Sequence, residues 1–266
     1  MLIAQITDIH VSRPGRLFGK HIDSRAAFER AISRVLTLDP KPDLVLLSGD
    51  LAETGADEEY DFIATELARL TCRVVAVPGN HDIREAMLRK LPACVSAQHG
   101  GHLSFLNEDF PLRVIGLDTI VPGKVHGEIC EDRLHWLRDA LARTAGNPVL
   151  LAMHHPPFTT GLVGMDRYGI KRGLDAFRAI VAQHTNDIVA IVCGHAHRMI
   201  VGRVSSVPIL LAPACSFPFE LDLGEKPSLN FVQEPPQFLV HSWSEAAGYV
   251  AHAAFVDAFP GPFPVL

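Results

Sequence analysis

No apolar stretch in this sequence approaches the roughly 18 residues that a membrane-crossing helix needs, so no membrane partner is expected. Basic residues are also in deficit: Lys and Arg number 24 against 30 Asp and Glu, a formal net charge of −6. A protein that holds long nucleic acid by its phosphates needs a basic face, and this balance argues against one. It leaves a small phosphorylated substrate open, because bound metal can supply the positive charge. Cysteine is sparse. The five cysteines, Cys72, Cys94, Cys130, Cys193 and Cys215, are odd in number and form no C-x-x-C pair. Neither a disulfide framework nor a thiolate zinc site is suggested, and reduced thiols in a cytoplasmic protein are the expectation. Residues 1–7 lack a basic leader region and a cleavage site, so they read as a first strand and not a signal peptide. Low-complexity tracts and fixed-period repeats are absent too.

What is present is globular. Hydrophobic residues make up 48% and charged residues 20%, too apolar for a disordered chain. A length of 266 residues fits one α/β domain with a modest extension. Leu2–Thr7 reads as a strand, and the loop 11–21 follows. A helix capped by Asp23 or Ser24 then carries Ala27, Phe28, Ala31, Ile32, Val35 and Leu36 at the helical period. Leu44–Leu47 is a buried-type strand. Thr54-x-x-Asp57 reads as a capping box for the helix bearing Tyr60, Ile63 and Leu67. Arg73–Val77 is the third strand. This β-α-β-α-β order predicts parallel strands joined by helical crossovers.

Further strands are predicted at Leu103–Leu106, Arg113–Leu117, Val149–Met153 and Ile188–Cys193. Helices are predicted at Ile83–Leu91, at Glu131–Arg143 and around Leu174–Val181. Beyond residue 198 the pattern turns to short strands, then a Pro-containing loop over 221–236 and a hairpin over 237–256. The domain division is therefore 1–220 as a catalytic unit and 221–266 as an extension. That extension packs on the same domain or on a dimer partner. Its apolar tail from Pro260 to Leu266 suggests a homodimer or a higher homo-oligomer.

Polar residues recur where apolar runs end. Asp8 and His10 follow the first strand, Asp50 the second and Asn80 the third. His154 follows Val149–Met153, and His195 and His197 follow Ile188–Cys193. Residues two apart at a strand end share one side, and open α/β sheets bind ligands beyond their carboxyl ends. Seven donors are more than one structural zinc uses. They suit two ions sharing a bridging carboxylate, about 3.5–4 Å apart. Nitrogen and oxygen donors without thiolate favour Fe, Mn, Zn or Co. Asp50 is the natural bridge, having two oxygens. Asp8, His10, Asp50 and His197 are assigned to one ion, and Asp50, Asn80, His154 and His195 to the other.

The ordered motifs D-x-H (8–10), GD (49–50), GNHD (79–82), HH (154–155) and GHAH (194–197) resemble those of the calcineurin-like metallophosphoesterase superfamily. They span residues 8–197. The lengths and the Leu17-Phe18-Gly19 loop more closely resemble bacterial class III cyclic nucleotide phosphodiesterases and glycerophosphodiesterases. The resemblance implies a four-layer αββα sandwich of two mixed β-sheets flanked by helices, here with a C-terminal hairpin. It implies the same seven ligands, with His154 rather than His155 chosen from the pair and the metal held as two divalent or mixed-valence ions. His81 matches the histidine that contacts the phosphate or protonates the leaving oxygen, and Asp82 the carboxylate that orients it. Asn80, His81 and His197 are the expected substrate contacts.

The expected function is binuclear-metal-dependent hydrolysis of small phosphodiesters, cyclic nucleotides or glycerophosphodiesters, by in-line attack of metal-bound hydroxide. A phosphomonoesterase using the same site, and a non-catalytic scaffold of this fold, are the alternatives. His81 could instead merely fix its loop. His155 reads as structural or pocket-lining, and His126 as the likeliest further histidine of interest. Phe18, Lys20, His21, Phe217 and Phe219 are candidates to line or cover the site.

Overall fold

Strands form here because each apolar run has two faces to bury. In β1 (Leu2–Ile6), Ala4 and Ile6 join one hydrophobic cluster while Ile3 joins another, the alternation of a strand covered on both sides. The computed structural model describes residues 1–224 and 228–265. Pro227 of the expected loop and Leu266 of the expected tail lie outside that range. After β1 come α1 (Ser24–Leu36), β2 (Leu44–Leu47), α2 (Asp57–Leu67), β3 (Arg73–Ala76) and α3 (Arg84–Lys90). Next are β4 (Phe105–Asn107), β5 (Arg113–Leu117), β6 (Gly127–Glu128), α4 (Glu131–Arg143), β7 (Val149–Met153), α5 (Val163–Asp166) and β8 (Ile170–Arg172). The rest are α6 (Leu174–Gln183), β9 (Ile188–Cys193), β10 (Ile200–Val204), β11 (Val207–Leu211), β12 (Gln237–Ser244) and β13 (Gly248–Phe255).

Two mixed sheets result. The first runs β13-β12-β1-β2-β3, parallel across β1, β2 and β3 and antiparallel at β12 and β13. The second runs β10-β11-β9-β7-β5-β4, with antiparallel edge strands around a parallel centre. They pack face to face through Ile3, Leu44, Leu46 and Val75 on one side and Val114, Leu150, Ala190 and Val192 on the other. Helices α1, α2 and α3 cover the outer face of the first sheet with Phe28, Ile32, Tyr60, Ile63 and Met87. Helices α4 and α6 cover the second with Leu134, Leu137, Phe177 and Ile180. This is the expected αββα sandwich.

Local differences have local causes. The cap of α2 does not come from Thr54 and Asp57. Glu59, fully buried, accepts from the backbone of Thr54 (2.9 Å) and Ala56 (3.1 Å) and from the Thr54 hydroxyl (2.9 Å). Its extra methylene reaches back a full turn, which Asp57 cannot do. The strand expected at Leu103–Leu106 starts at Phe105, because the Leu103 amide donates to Asp118 (2.7 Å) and not to a ladder. The pair β6 and β8 and the short helix α5 were not expected. Among the described residues no helix is long and apolar enough to cross a membrane.

The hairpin β12–β13 is part of the first sheet, with β12 in register against β1 from Leu2↔Ser242 to Gln5↔Leu239. A buried polar chain ties it in. His241 bonds the Tyr249 hydroxyl (2.8 Å) and Gln5 Oε1 (2.9 Å), and the Gln5 amide reaches Ser48 Oγ (2.8 Å) and the Cys193 carbonyl of the second sheet (3.1 Å). Burial pushes the His241 ring down to about 3. The folded ring stays neutral while the unfolded one takes a proton below its ordinary value near 6.5. The unfolded state thus binds more protons between those two values. The contribution is complete above pH 6.5 and is lost as pH falls toward 3, on the order of 2–4 kcal/mol. We expect urea midpoints measured from pH 7.5 to 4 to fall less steeply in His241→Gln than in wild type. Parallel curves would count against this.

Candidate metal centre

All seven candidate ligands lie just past carboxyl ends of strands. Asp8 and His10 follow β1, Asp50 follows β2 and Asn80 follows β3, in the first sheet; His154 follows β7, and His195 and His197 follow β9, in the second. The backbone there is strained. Asp8 and His10 (φ 50°), Asp50 (52°), His195 (71°) and His197 (55°) are in the left-handed region, which a side chain bearing Cβ disfavours. Among the described residues only Lys20 and Ser205 share that property without being candidate ligands. Strain of this kind persists where surrounding bonds over-determine it. Here Asp8 N donates to Gly49 O, His10 N to Asp50 O (both 3.0 Å), and His195 N to both Asp8 oxygens (3.1 and 3.0 Å). The D-x-H and H-x-H pairs therefore share a side through left-handed turns and not through a strand pleat.

Two glycines make the closeness possible. Gly79 and Gly194 do not have a left-handed φ, so turn geometry is not what requires them. A Cβ on Gly79 would overlap the Asp50 amide and Oδ1, and one on Gly194 would overlap Thr7 Oγ1 and the Asp8 carboxylate. Both are sites of close approach between chain segments.

The donor atoms fall into two linked groups. His10 Nε2 lies 3.1 Å from His197 Nε2, which is 3.4 Å from Asp8 Oδ1. Asn80 Oδ1 lies 3.2 Å from His154 Nε2 and 3.1 Å from His195 Nδ1. Between them stands Asp50 Oδ2, 3.6 Å from His10 Nε2 and 3.4 Å from His154 Nε2. The other Asp50 oxygen accepts from the His81 amide (2.8 Å). Bonds of about 2.0–2.2 Å to one ion place neighbouring donors roughly 2.9–3.5 Å apart, so these separations suit coordination edges.

Tautomers decide whether the cluster needs a cation. His10 Nδ1 faces the Glu53 carboxylate (2.7 Å), His197 Nδ1 the Phe217 carbonyl (2.9 Å) and His154 Nδ1 the Ser48 carbonyl (2.9 Å). Those oxygens only accept, so each Nδ1 carries the hydrogen and each Nε2 presents a lone pair. Once the proton that His154 shares with Asp50 has left, lone pairs from three imidazoles, two carboxylates and an amide oxygen face one another across the cluster. A divalent ion fits that donor set, with the acceptors behind each ring holding it in the ligating tautomer.

Titration points the same way. Burial opposes ionisation of Asp50, but the adjacent His154 overrides it and holds the carboxyl well below its usual range. Burial likewise opposes charge on His154, which the Asp50 carboxylate nevertheless raises to about 9. Burial, with the Asp50 charge adding to it, pushes Asp8 up to about 6. His195 and His197 are driven well below the ordinary histidine value by burial and then by neighbouring imidazoles, which leaves them neutral. A proton held between His154 and Asp50 stands where a cation would bind, so loading metal releases protons.

Around the cluster, some expectations change. His155 turns away: Nε2 faces the Val125 carbonyl (3.0 Å) and Nδ1 the Thr119 hydroxyl (2.8 Å), so both nitrogens are occupied and burial lowers it to about 3. His126 lies 3.8 Å from Glu128 and outside the donor groups. Asp82 does not reach the His81 ring. Its carboxylate accepts from the amides of Leu51, Ala52 and Gly79 and from the Tyr60 hydroxyl (2.9 to 3.2 Å), because the turn closed by Asp82 N and Gly79 O aims it back under the loop after β2. The partner of His81 is Glu53, whose carbonyl accepts from His81 Nδ1 (2.8 Å). Glu53 was not foreseen, although its carboxylate also holds His10. Phe217 and Phe219 do flank the site, with Phe219 stacked 4.1 Å from the His197 ring.

The family model of calcineurin-like phosphoesterases matches residues 1–199. The probable glycerophosphodiester phosphodiesterase GpdQ of Arcobacter nitrofigilis is 33% identical over 264 residues, covering 99% of this chain and 96% of that protein. A probable cyclic nucleotide phosphodiesterase of Synechococcus is 33% identical over 222 residues, covering 82% of each chain. The purple acid phosphatase PPD1 of yellow lupin shares the fold at a TM-score of 0.69 and 9% identity, covering 96% of this chain and 51% of its own.

Proposed function

The chain belongs to the calcineurin-like phosphoesterase family, and from that premise we propose that it is a metal-dependent phosphodiesterase holding two divalent ions and hydrolysing small phosphodiesters. The observation that carries this is the convergence, from both sheets, of seven imidazole, carboxylate and amide side chains on one space. Asp8, His10, His197 and Asp50 would hold one ion, and Asn80, His154, His195 and Asp50 the other. Asp50, whose Oδ2 lies within reach of both groups and whose Oδ1 accepts from the His81 amide, would be shared between them. Residues 1–220 supply every donor, and residues 221–266 are an extension on the same body. The relatives named for cyclic nucleotides and for glycerophosphodiesters support a diester substrate in which one alcohol arm leaves.

Bound metal supplies Lewis-acid polarisation of the phosphoryl group and activation of water near neutral pH. The chain's own residues do the rest. Glu53, Phe217 O and Ser48 O keep three imidazoles oriented, so no reorganisation is needed when charge develops. His81, 34% exposed, has Nδ1 tied to Glu53 and leaves Nε2 for the phosphate or the departing oxygen. Asn80, His81 and His197 are the substrate contacts in this reading.

Protein loaded with Mn, Fe, Co or Zn should hydrolyse bis-p-nitrophenyl phosphate faster than p-nitrophenyl phosphate. Turnover of the monoester alone would replace the diester reading with a monoesterase one. Silence on both substrates with all four metals would remove the enzymatic reading.

A further inference from the structure

Beside the donor cluster a groove of about 850 Å³ opens between the loop after β1 and the loop before α2. Glu53, the residue that holds His10 and His81, lines it, so the groove adjoins the site. The ring in its wall is Phe18, 5.9 Å from the His10 ring centroid. Leu17, 49% exposed, Arg13 and Arg16 share the wall with Glu58 and Glu59, and Arg13 pairs with Glu58 at 3.1 Å.

Phe18 is fixed before any ligand arrives. It stacks on Phe217 at 4.2 Å with 19° between planes, and Phe231 meets it edge-on at 5.4 Å. Its backbone is bridged to Ile22 by two hydrogen bonds, Phe18 N to Ile22 O (2.8 Å) and Ile22 N to Phe18 O (3.0 Å). Gly19, with φ 53°, leaves open the space that the Phe231 ring fills, so Phe231 locks the loop from behind. The ring is half-buried and lines a groove it does not fill. A rigid aromatic surface of this kind fits a flat π-system. Glycerol-type arms have no flat face to offer it.

We propose that this groove is the seat of one ester arm of the substrate, and that Phe18 stacks on an aromatic arm such as a nucleobase. The preference follows for nucleotide or aryl diesters over glycerol-type diesters. The proposal rests on the phosphodiesterase reading and adds the substrate class to it.

Steady-state kinetics on adenosine 3′,5′-cyclic phosphate and on glycerophosphocholine, with wild type, Phe18→Leu and Phe18→Trp, provides the test. Loss of one stacking partner is worth roughly tenfold. Phe18→Leu should raise KM for the cyclic nucleotide by about that factor while kcat and metal content hold, and should leave KM for glycerophosphocholine within about twofold; Phe18→Trp should keep the nucleotide KM. Equal changes on both substrates, or none on either, would overturn the proposal and leave the diesterase reading intact. Should wild type cleave neither diester, the diesterase reading fails, and an NMR titration with adenosine, which carries no phosphate, still decides the groove. Wild type should bind adenosine about tenfold more tightly than Phe18→Leu, and equal affinities would sink the proposal by that route too.

Discussion

Asp50→Ala should strip the protein of both metal ions, although it removes the side chain of a single residue. Asp50 Oδ2 is the atom within reach of both donor groups, 3.6 Å from His10 Nε2 and 3.4 Å from His154 Nε2. With it gone, each group keeps three donors, and the two ions lose the negative charge that lies between them. The same change orphans the His81 amide, which donates to Asp50 Oδ1, and frees the loop that carries Asn80. Two effects therefore act together: fewer ligands per ion, and a looser position for one that remains. Elemental analysis after gel filtration should find well under one ion per chain, against two in wild type. Metal contributes several kcal/mol of transition-state stabilisation, so diesterase kcat/KM should fall roughly 10³–10⁴-fold. Removal of Asp50 also leaves His154 buried without its carboxylate, so the metal-free variant should lose some stability, and the ions are counted on material that elutes as folded protein. Retention of two ions per chain would refute the bridge; loss of only one would show that the bridge serves a single ion.

How much of this could be read from the residues alone depends on distance along the chain. Asp8, His10, Asp50, Asn80, His154, His195 and His197 were legible because each follows an apolar run, and parallel strands set side by side bring such ends together. The layers were legible as well: in β1 and β2 successive residues go to opposite clusters, as period-2 burial requires. Glu53 was not legible. Its carboxylate meets His10 across 43 residues, and nothing in Glu-Thr-Gly distinguishes it from a solvated loop acid. Asp82 failed for the opposite reason. Adjacency to His81 suggested a partnership, but consecutive side chains leave a turn in different directions, and Asp82 went to the amides of Leu51 and Ala52. Left-handed φ at five ligand positions carries no sequence signature when the residue is Asp or His and not Gly. The same holds for Gly79 and Gly194, where the missing Cβ answers to a neighbour distant in sequence.

These misses share one consequence for the chemistry. The donors come from strand ends, but their orientation comes from carbonyls and a carboxylate in loops: Ser48, Phe217 and Glu53. A chain with the same seven donors and different loops would keep the ligands and lose the tautomers. The aromatic side of the site has the same origin, since Phe18, Phe217 and Phe231 come from separate loops and meet only in the fold. The candidate ligands thus sit at the ends of sheet strands, while the groups that orient them sit in the loops.

His81→Ala should leave both ions in place and slow turnover, and the size of the loss should depend on the leaving group. The backbone amide that supports Asp50 is unchanged by this substitution, and none of the seven proposed ligands is removed. What disappears is a ring whose Nδ1 is pinned on the Glu53 carbonyl and whose Nε2 is unassigned within the protein. If that nitrogen delivers a proton to the departing oxygen, an alkoxide leaving group needs it and a p-nitrophenolate does not. A positioned general acid is worth about 10²–10⁴-fold. Turnover of an alkyl diester such as glycerophosphocholine should therefore fall by about two to three orders of magnitude, while bis-p-nitrophenyl phosphate should lose roughly tenfold or less. A ring that only grips the phosphate predicts something else, an equal loss on both substrates carried mainly in KM, and that result would reassign His81 from acid to binding group. A loss of metal in the variant would show that the ring supports the loop bearing Asn80, the bland role that a loop histidine can also play. Glu53→Gln separates these further. It keeps the carbonyl that holds His81 but exchanges the carboxylate behind His10, so it should lower metal affinity without reproducing the leaving-group dependence of His81→Ala.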